Sequence, residues 1–460
     1  MVLLQPALAL LSRQCMASPP DFSIVDLGYS RHAPTFVNTT STTNTSFTSY
    51  VNIRFAQPPL GDLRFKRPVT PSPKSDGVQD GVVPFNSTNC FQSWPAAFIV
   101  PPGMNGSTWG SEDCLFLDVM GPEGMDPESP VPVLHWVFGG GYITGSKDWG
   151  GYPAALFDGM ELDGKFIVVS SNYRLGQFGG MSSETEPSMD QNVGLYDVWA
   201  ALEWTKKYAH LFGGDPERVT AMGQSAGSGV LQHFLSANAQ GLEVPFQQAI
   251  LSSPGYRPRV DRSKEMTEVY QMFLEGSNCT GVACLRELPE EAMVEASTYM
   301  ALDIPRGEFG AASIGPQPVI DGDLVTDIPD RIPAETPGTS SCVSRVITGR
   351  HEVYRYEVYV PPAAHGEDLF YYFYDPIIAE FSGMDIPEDV TLEFQNYMRR
   401  FILGEDMGDW PEYHSERSGE PTRINLTASG IDTVVGEGGY NLAERCETLL
   451  GLLKKEEDGW

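Results

Sequence analysis

Residues 217–237 read ERVTAMGQSAGSGVLQHFLSA, and this stretch decides the fold. Its first half, ERVTAMGQ, carries the β-branched and apolar residues of a buried strand. Its last part, SGVLQHFLSA, fits a helix. Between them Gly223-Gln224-Ser225-Ala226-Gly227 forms a Gly-x-Ser-x-Gly turn. A chain that passes from strand to helix in so few residues needs small side chains on both flanks of the turn. Such a turn lifts a serine hydroxyl above the sheet and sets it at the amino end of the following helix, where backbone N–H groups stabilise a developing negative charge.

Working outward, strand-like and helix-like stretches alternate. VPVLHWVF (131–138), KFIVVSSNY (165–173) and FQQAILSS (246–253) read as buried strands, and 192–212 reads as a long helix with apolar residues at helical spacing. Strand, helix, strand in repetition predicts an α/β fold with a mainly parallel sheet covered by helices on both faces. VYRYEVYV (353–360) and LFYYFY (369–374) are aromatic and read as late strands of the same sheet. Residues 36–50, rich in Thr, Ser and Asn, read as a turn-rich surface segment.

A serine hydroxyl needs a general base, and behind a strand–turn–helix nucleophile the base follows in sequence. That order sets aside His32, His135 and His210. His233 lies on the helix leaving Ser225 and reads as structural, His351 opens a strand, and His414 sits in a charged loop. His365, in the loop PPAAHGEDL, is the expected base. Phe138-Gly139-Gly140-Gly141-Tyr142 follows a strand. Its consecutive glycines let backbone N–H groups converge on an oxyanion, with the N–H of Ala226 completing the set.

The chain has 460 residues, 61 acidic against 30 basic, for a formal net charge of −31. Such a field repels phosphate backbones and anionic membranes, so nucleic acid is not an expected partner. The amino-terminal run MVLLQPALALL is too short to span a bilayer and, with Cys15-Met16-Ala17, reads as a signal peptide over residues 1–17. No later stretch reads as a transmembrane segment. N-x-S/T sequons at Asn38, Asn44, Asn86, Asn105, Asn278 and Asn425 point the same way, to a secreted glycoprotein. Removal of Cys15 with the signal leaves an even six cysteines of the seven, suited to disulfides; their spacing gives no zinc pattern.

With these residues in view, the sequence resembles the type-B carboxylesterases, the group containing cholinesterases and fungal lipases, over about residues 22–455. NIRFAQPPLGDLRF (52–65), SEDCLFLDV (111–119), NYRLGQFG (172–179), QNVGLYDVWAALEW (191–204) and FGGDPERVTAMGQSAG (212–227) carry the likeness. GPQPVIDGDL (315–324), VYRYEV (353–358), HGEDL (365–369) and WPEY (410–413) extend it. The resemblance implies one α/β-hydrolase domain that cleaves small-molecule or lipid carboxylic esters through an acyl-serine, with no cofactor and no metal. It implies Ser225 as nucleophile, His365 as base and Gly140, Gly141 and Ala226 as oxyanion hole. It also implies disulfides Cys90–Cys114, Cys279–Cys284 and Cys342–Cys446.

The sequence departs from the family at three places. Gln224 replaces a glutamate beside the nucleophile, and Phe138 stands where many members have His or Tyr. The family's triad acid, a glutamate in a DEG-type motif, has no counterpart, and the interval from Ser225 to His365 is shorter than in typical members. A segment near 335–342 reads as deleted. Glu352, Glu335 and Asp330 lie in the window without the family's neighbours. The rival readings are a non-catalytic esterase-like binding protein and a defective gene product.

Overall fold

The computed structural model describes residues 24–41, 43–72, 75–84, 87–93, 108–123, 125–148, 153–158, 165–238, 241–255, 263–303, 318–326, 342–347, 350–360, 368–376, 386–412 and 422–436. Its centre is an eleven-stranded mixed sheet. The strands are β1 (Phe36–Thr39), β2 (Ser46–Arg54), β3 (Phe116–Pro122), β4 (Val131–Val137), β5 (Ile167–Ser171), β6 (Gly214–Gln224), β7 (Gln248–Ser252), β8 (Cys342–Ile347), β9 (Arg350–Val358), β10 (Thr422–Thr427) and β11 (Gly430–Val435). Their spatial order is β11-β10-β9-β8-β7-β6-β4-β5-β3-β2-β1. The middle four, β5-β4-β6-β7, are parallel, as the alternating pattern predicts. On the flanks the sheet is mixed: β5–β3, β3–β2 and β2–β1 on one side, and β7–β8, β8–β9 and β10–β11 on the other, are antiparallel, while β9–β10 is parallel. The short connections within β1–β2, β8–β9 and β10–β11 leave no length for a crossover, so these three pairs must reverse direction.

The long helix of the sequence is α1, Val193–Tyr208, and the helix leaving the nucleophile turn is α2, Ala226–Asn238. Neighbouring residues of β4 show how both sheet faces are covered, because successive side chains point to opposite faces. His135 hydrogen-bonds Thr205 of α1, and α1 meets α2 through Trp199 and Phe234. Trp136 packs edge-on against Phe373 on the other face. A second apolar cluster joins α3 (Ser263–Ser277), α4 (Val282–Glu287) and α5 (Glu290–Asp303) around Met266, Phe273 and Met293. The Cys279–Cys284 disulfide lies between α3 and α4. Buried Arg64 ties α4 to the amino-terminal third. Its guanidinium donates to Glu112 at 2.5 and 2.6 Å and to the carbonyls of Leu285 and Leu288.

Two local expectations are corrected. Residues 36–50 are largely the hairpin of β1 and β2, its tip fastened where Thr40 and Thr43 donate to the Asp158 carboxylate. Residues 369–374 are not a strand: Asp368–Tyr372 form the short helix α6. Aromatic residues favour strands by propensity, but packing decides here. Tyr372 lies against Tyr356 of β9 and against Phe394 of α7 (Glu388–Leu403), in a cluster that also takes in Trp410.

Candidate active site

Strand β6 ends at Gln224 and α2 begins at Ala226, so Ser225 alone makes the turn. Its φ is +53°, a conformation that costs a non-glycine residue free energy and that packing must enforce. Three backbone hydrogen bonds do so: Ser225 N donates to Ser252 O at 2.9 Å, while Gly229 N and Gly255 N donate to Ser225 O at 2.9 and 2.8 Å. The flanking glycines are required by close approach. A Cβ on Gly223 would stand 2.5 Å from the carbonyl carbon of Gly227, and one on Gly227 would overlap the carbonyls of Val137 and Phe138. The end of β4 and the start of α2 therefore touch backbone to backbone, which brings the glycine loop to the serine.

That loop is held on three sides. Tyr173 stacks on Phe138 at 4.4 Å and donates to its carbonyl at 3.0 Å. Gly176 N donates to Tyr142 O at 2.7 Å. Buried Gln92 accepts from Thr144 Oγ1 at 2.7 Å and Gly145 N at 2.9 Å. Gly139 lies against the nucleophile turn, since a Cβ there would meet Ser225 Cβ at 2.8 Å. The loop that carries Gly140 and Gly141 thus adjoins Ser225 and the fully buried Ala226. Gln92, reached from Cys90, which is disulfide-bonded to Cys114 with a Cα–Cα distance of 4.8 Å, had no sequence signal. Its role depends on a contact between segments far apart in the chain.

The other histidines behave as structural groups. His135 is buried between Thr205 Oγ1 and Ser171 Oγ, and burial lowers its pKa to about 3. His233 is buried with neither ring nitrogen hydrogen-bonded, and burial lowers its pKa to about 4. His32 accepts or donates to Ser30 Oγ, and burial likewise lowers it to about 4. His365, Glu335, Asp330, Cys446, Asn86 and Asn105 lie outside the described residues. Glu352 is on β9, where the register aligns it with Arg345, Gln248 and Thr220 across three neighbouring strands. That level is four residues, about 13 Å along the strand, below Gln224, and the nucleophile lies one residue further still. Glu352 is therefore at the wrong end of the sheet to serve the serine.

Another carboxylate is at the right end. Asp368 is buried, and its Oδ2 accepts from Ser252 Oγ, from Ser253 Oγ at 3.0 Å and from Tyr356 OH at 3.3 Å. Tyr372 OH donates in turn to Tyr356 OH. Asp368 carries no local signal: the aromatic run beginning at Leu369 reads as a strand, and the hydroxyls that meet the carboxylate come from other segments of the chain. Among the described residues no group of three or more His, Cys, Asp or Glu is arranged to hold a metal ion, and no helix is long and apolar enough to cross a membrane.

A strained serine between a parallel strand and a helix, with a glycine loop packed beside it, defines an α/β-hydrolase. The chain belongs to the carboxylesterase family, whose profile matches residues 36–352. It is 35% identical over 371 residues to a protein named Carboxylesterase patB from Aspergillus clavatus, covering 72% of this chain and 65% of that protein. It is 34% identical to the protein of the same name from Penicillium expansum, covering 68% and 62%. A secreted lipase of Arthroderma benhamiae is 38% identical over 197 residues, covering 40% of this chain and 38% of the lipase. The chain thus spans less than two thirds of the length of the curated relatives it matches. Among solved structures, a thermophilic PNB esterase superposes with a TM-score of 0.68 at 22% identity, covering 90% of this chain and 97% of the esterase. That likeness concerns the fold.

Proposed function

We propose that the protein hydrolyses carboxylic esters, small-molecule or lipid, through an acyl-serine. Ser225 Oγ attacks the ester carbonyl carbon while His365 takes the hydroxyl proton. The oxyanion so formed accepts hydrogen bonds from the N–H groups of Gly140, Gly141 and Ala226. Collapse breaks the bond to the alkoxy oxygen, which leaves with the proton from His365. Water, deprotonated by His365, then releases the acid and restores Ser225. The observation that carries this reading is Ser225 at φ +53° against the glycine loop, because a backbone held in that conformation aims the hydroxyl away from the sheet.

The names of the relatives support the ester class; one is called a lipase and is described as secreted. Export, a signal peptide over residues 1–17, a single domain over 22–455 and the Cys342–Cys446 disulfide are part of the same proposal. Among the sequons, Asn38, Asn44 and Asn278 are exposed and suit glycosylation, whereas Asn425 is half-buried within β10.

The test is covalent capture. A fluorophosphonate should add one phosphonyl group to Ser225, found by peptide mapping, and the Ser225→Ala chain should stay unlabelled while losing hydrolysis of 4-nitrophenyl acetate. Equal labelling of both chains would overturn the assignment.

A further inference from the structure

We propose that Asn38 carries an N-linked oligosaccharide whose first sugar packs on Phe36, so that the glycan caps the exposed edge of the central sheet; this rests on the reading of export given above. Strand β1 ends the sheet, and among the described residues it pairs only with β2. All four of its residues, Phe36, Val37, Asn38 and Thr39, are exposed, Phe36 by 38% and Val37 by 39%. None is charged and none is proline. An edge strand offers unpaired N–H and C=O groups to any other strand, and proteins blunt such edges with charge, proline, bulges or a cover. The opposite edge, β11, carries exposed Asp432. Strand β1 has an apolar side chain on each face instead, Phe36 on one and Val37 on the other, which makes it the better template for unwanted pairing.

What β1 does carry is a sequon, Asn38-Thr39-Thr40, whose asparagine lies in the strand itself. Side chains two apart on a strand project to the same face, with Cα atoms about 6.7 Å apart, so Asn38 stands beside Phe36. A sugar attached there meets a half-exposed aromatic ring, and the apolar C–H face of the sugar and the ring shield each other from water. Only Asn38 among the six sequons has an aromatic residue two positions before it; Asn44, Asn86, Asn105, Asn278 and Asn425 have Thr42, Pro84, Gly103, Gly276 and Arg423 there. The rest of the oligosaccharide then stands along the edge, where an approaching strand would have to sit. Its transfer must precede folding. In the folded chain Thr40 is buried, and its hydroxyl donates to Asp158 at 2.7 Å and accepts from Thr45 N at 3.0 Å, so the hydroxyl of the sequon is already engaged. In the transfer the Asn38 amide nitrogen attacks the anomeric carbon of an oligosaccharide carried on a polyisoprenyl pyrophosphate. The new C–N bond replaces the C–O bond to the pyrophosphate, which leaves, and one amide proton passes to solvent.

The experiment expresses the full chain in a eukaryotic host that secretes it. Peptide mapping after enzymatic release of the sugars in heavy-oxygen water marks each modified asparagine, and Asn38 should be marked. Asn38→Gln should raise the equilibrium constant for unfolding about two- to tenfold, the size of a contact between neighbouring groups, and should have little effect when made in the Phe36→Ala chain. Phe36→Tyr should keep the coupling. Phe36 and Asn38 are both exposed, so neither change empties a packed core. Asn38→Gln should also sediment as larger species than the glycosylated chain at equal concentration. Adding Val37→Lys should reverse this, because a charge on the edge replaces the cover. An unmodified Asn38 in a chain whose Asn44 or Asn278 carries sugar would overturn the proposal. So would an Asn38→Gln chain with the parent's stability or the parent's sedimentation, or one whose loss of stability is independent of Phe36. A chain kept inside the cell with every sequon bare speaks against export itself, and the cap falls with it.

Discussion

The charge on Lys147 is buried a few residues past the glycine loop. Its ammonium reaches Asp118 and Asp148, each at 2.9 Å, with the lysine side chain only 2% exposed. Burial works against this charge, but the two carboxylates outweigh it and hold the lysine pKa above its ordinary value. Burial raises the Asp118 carboxyl to about 6, and Lys147 limits that rise. Asp118 also accepts from Asn52 N and so bridges β3 to the bend in β2. Replacing one partner leaves a lone buried charge. Lys147→Met should therefore cost about 3–5 kcal/mol in urea unfolding, and the double change Lys147→Met with Asp118→Leu should recover much of it. Gln224 has the opposite character. Its Nε2 is buried without an acceptor, a cost of about 1–3 kcal/mol, one residue from the nucleophile. Gln224→Met should hold or raise the melting temperature. A simultaneous loss of kcat would show that the amide supports the geometry of the site, since an orphan polar group retained beside a nucleophile trades stability for function.

The oxyanion loop depends on what surrounds it. Gln92 Oε1 takes hydrogen bonds from both Thr144 and Gly145, so Gln92→Ala leaves a buried N–H unmatched. The expected result is a loss of about 1–3 kcal/mol in stability and a fall in kcat of about tenfold to a hundredfold, with KM little changed, because donors displaced by a fraction of an ångström miss the transition state more than the substrate. Steady-state kinetics and thermal melts of one preparation check both halves. The contrast with Ser225 shows what a sequence reading can reach. The nucleophile turn was legible because one short segment carries all its constraints: strand, small flanks, helix. The middle strands were legible because burial on both faces makes them continuous apolar runs. Gln92, Tyr173 and Asp368 were not, since each acts by touching a segment 25 or more residues away, and nothing local marks that contact. The aromatic run at 369–374 misled for the same reason. Its rings belong to a cluster with β9, α7 and Trp410, and the backbone takes whatever form seats them.

At the scale of the whole molecule, two charge effects oppose each other as pH falls. The net charge of −31 repels itself, and protonating exposed carboxylates relieves that strain. Buried Asp118, with its raised pKa, takes a proton more readily in the folded state than in the unfolded chain, and adds to the relief below about pH 6. The buried histidines act the other way. His32 and His233 are lowered to about 4 and His135 to about 3 from the ordinary 6.5, all by burial. In each the unfolded state binds the proton first. Their contribution is therefore fully present above pH 6.5 and lost as pH falls from there toward the folded values. In that window each lowers stability by up to about 1.4 kcal/mol per pH unit. Three such groups acting together should make the urea midpoint drop between pH 6.5 and 4.5, although net charge is being neutralised. His233 isolates the effect, because both its ring nitrogens lack partners and an apolar residue loses nothing by replacing them. His233→Leu should be neutral or stabilising at pH 7.5 and should remove about one proton from the pH dependence, leaving a shallower fall. A parent chain whose midpoint rises through this range, or a His233→Leu chain with the parent's slope, would show that these histidines do not set the acid stability of the fold.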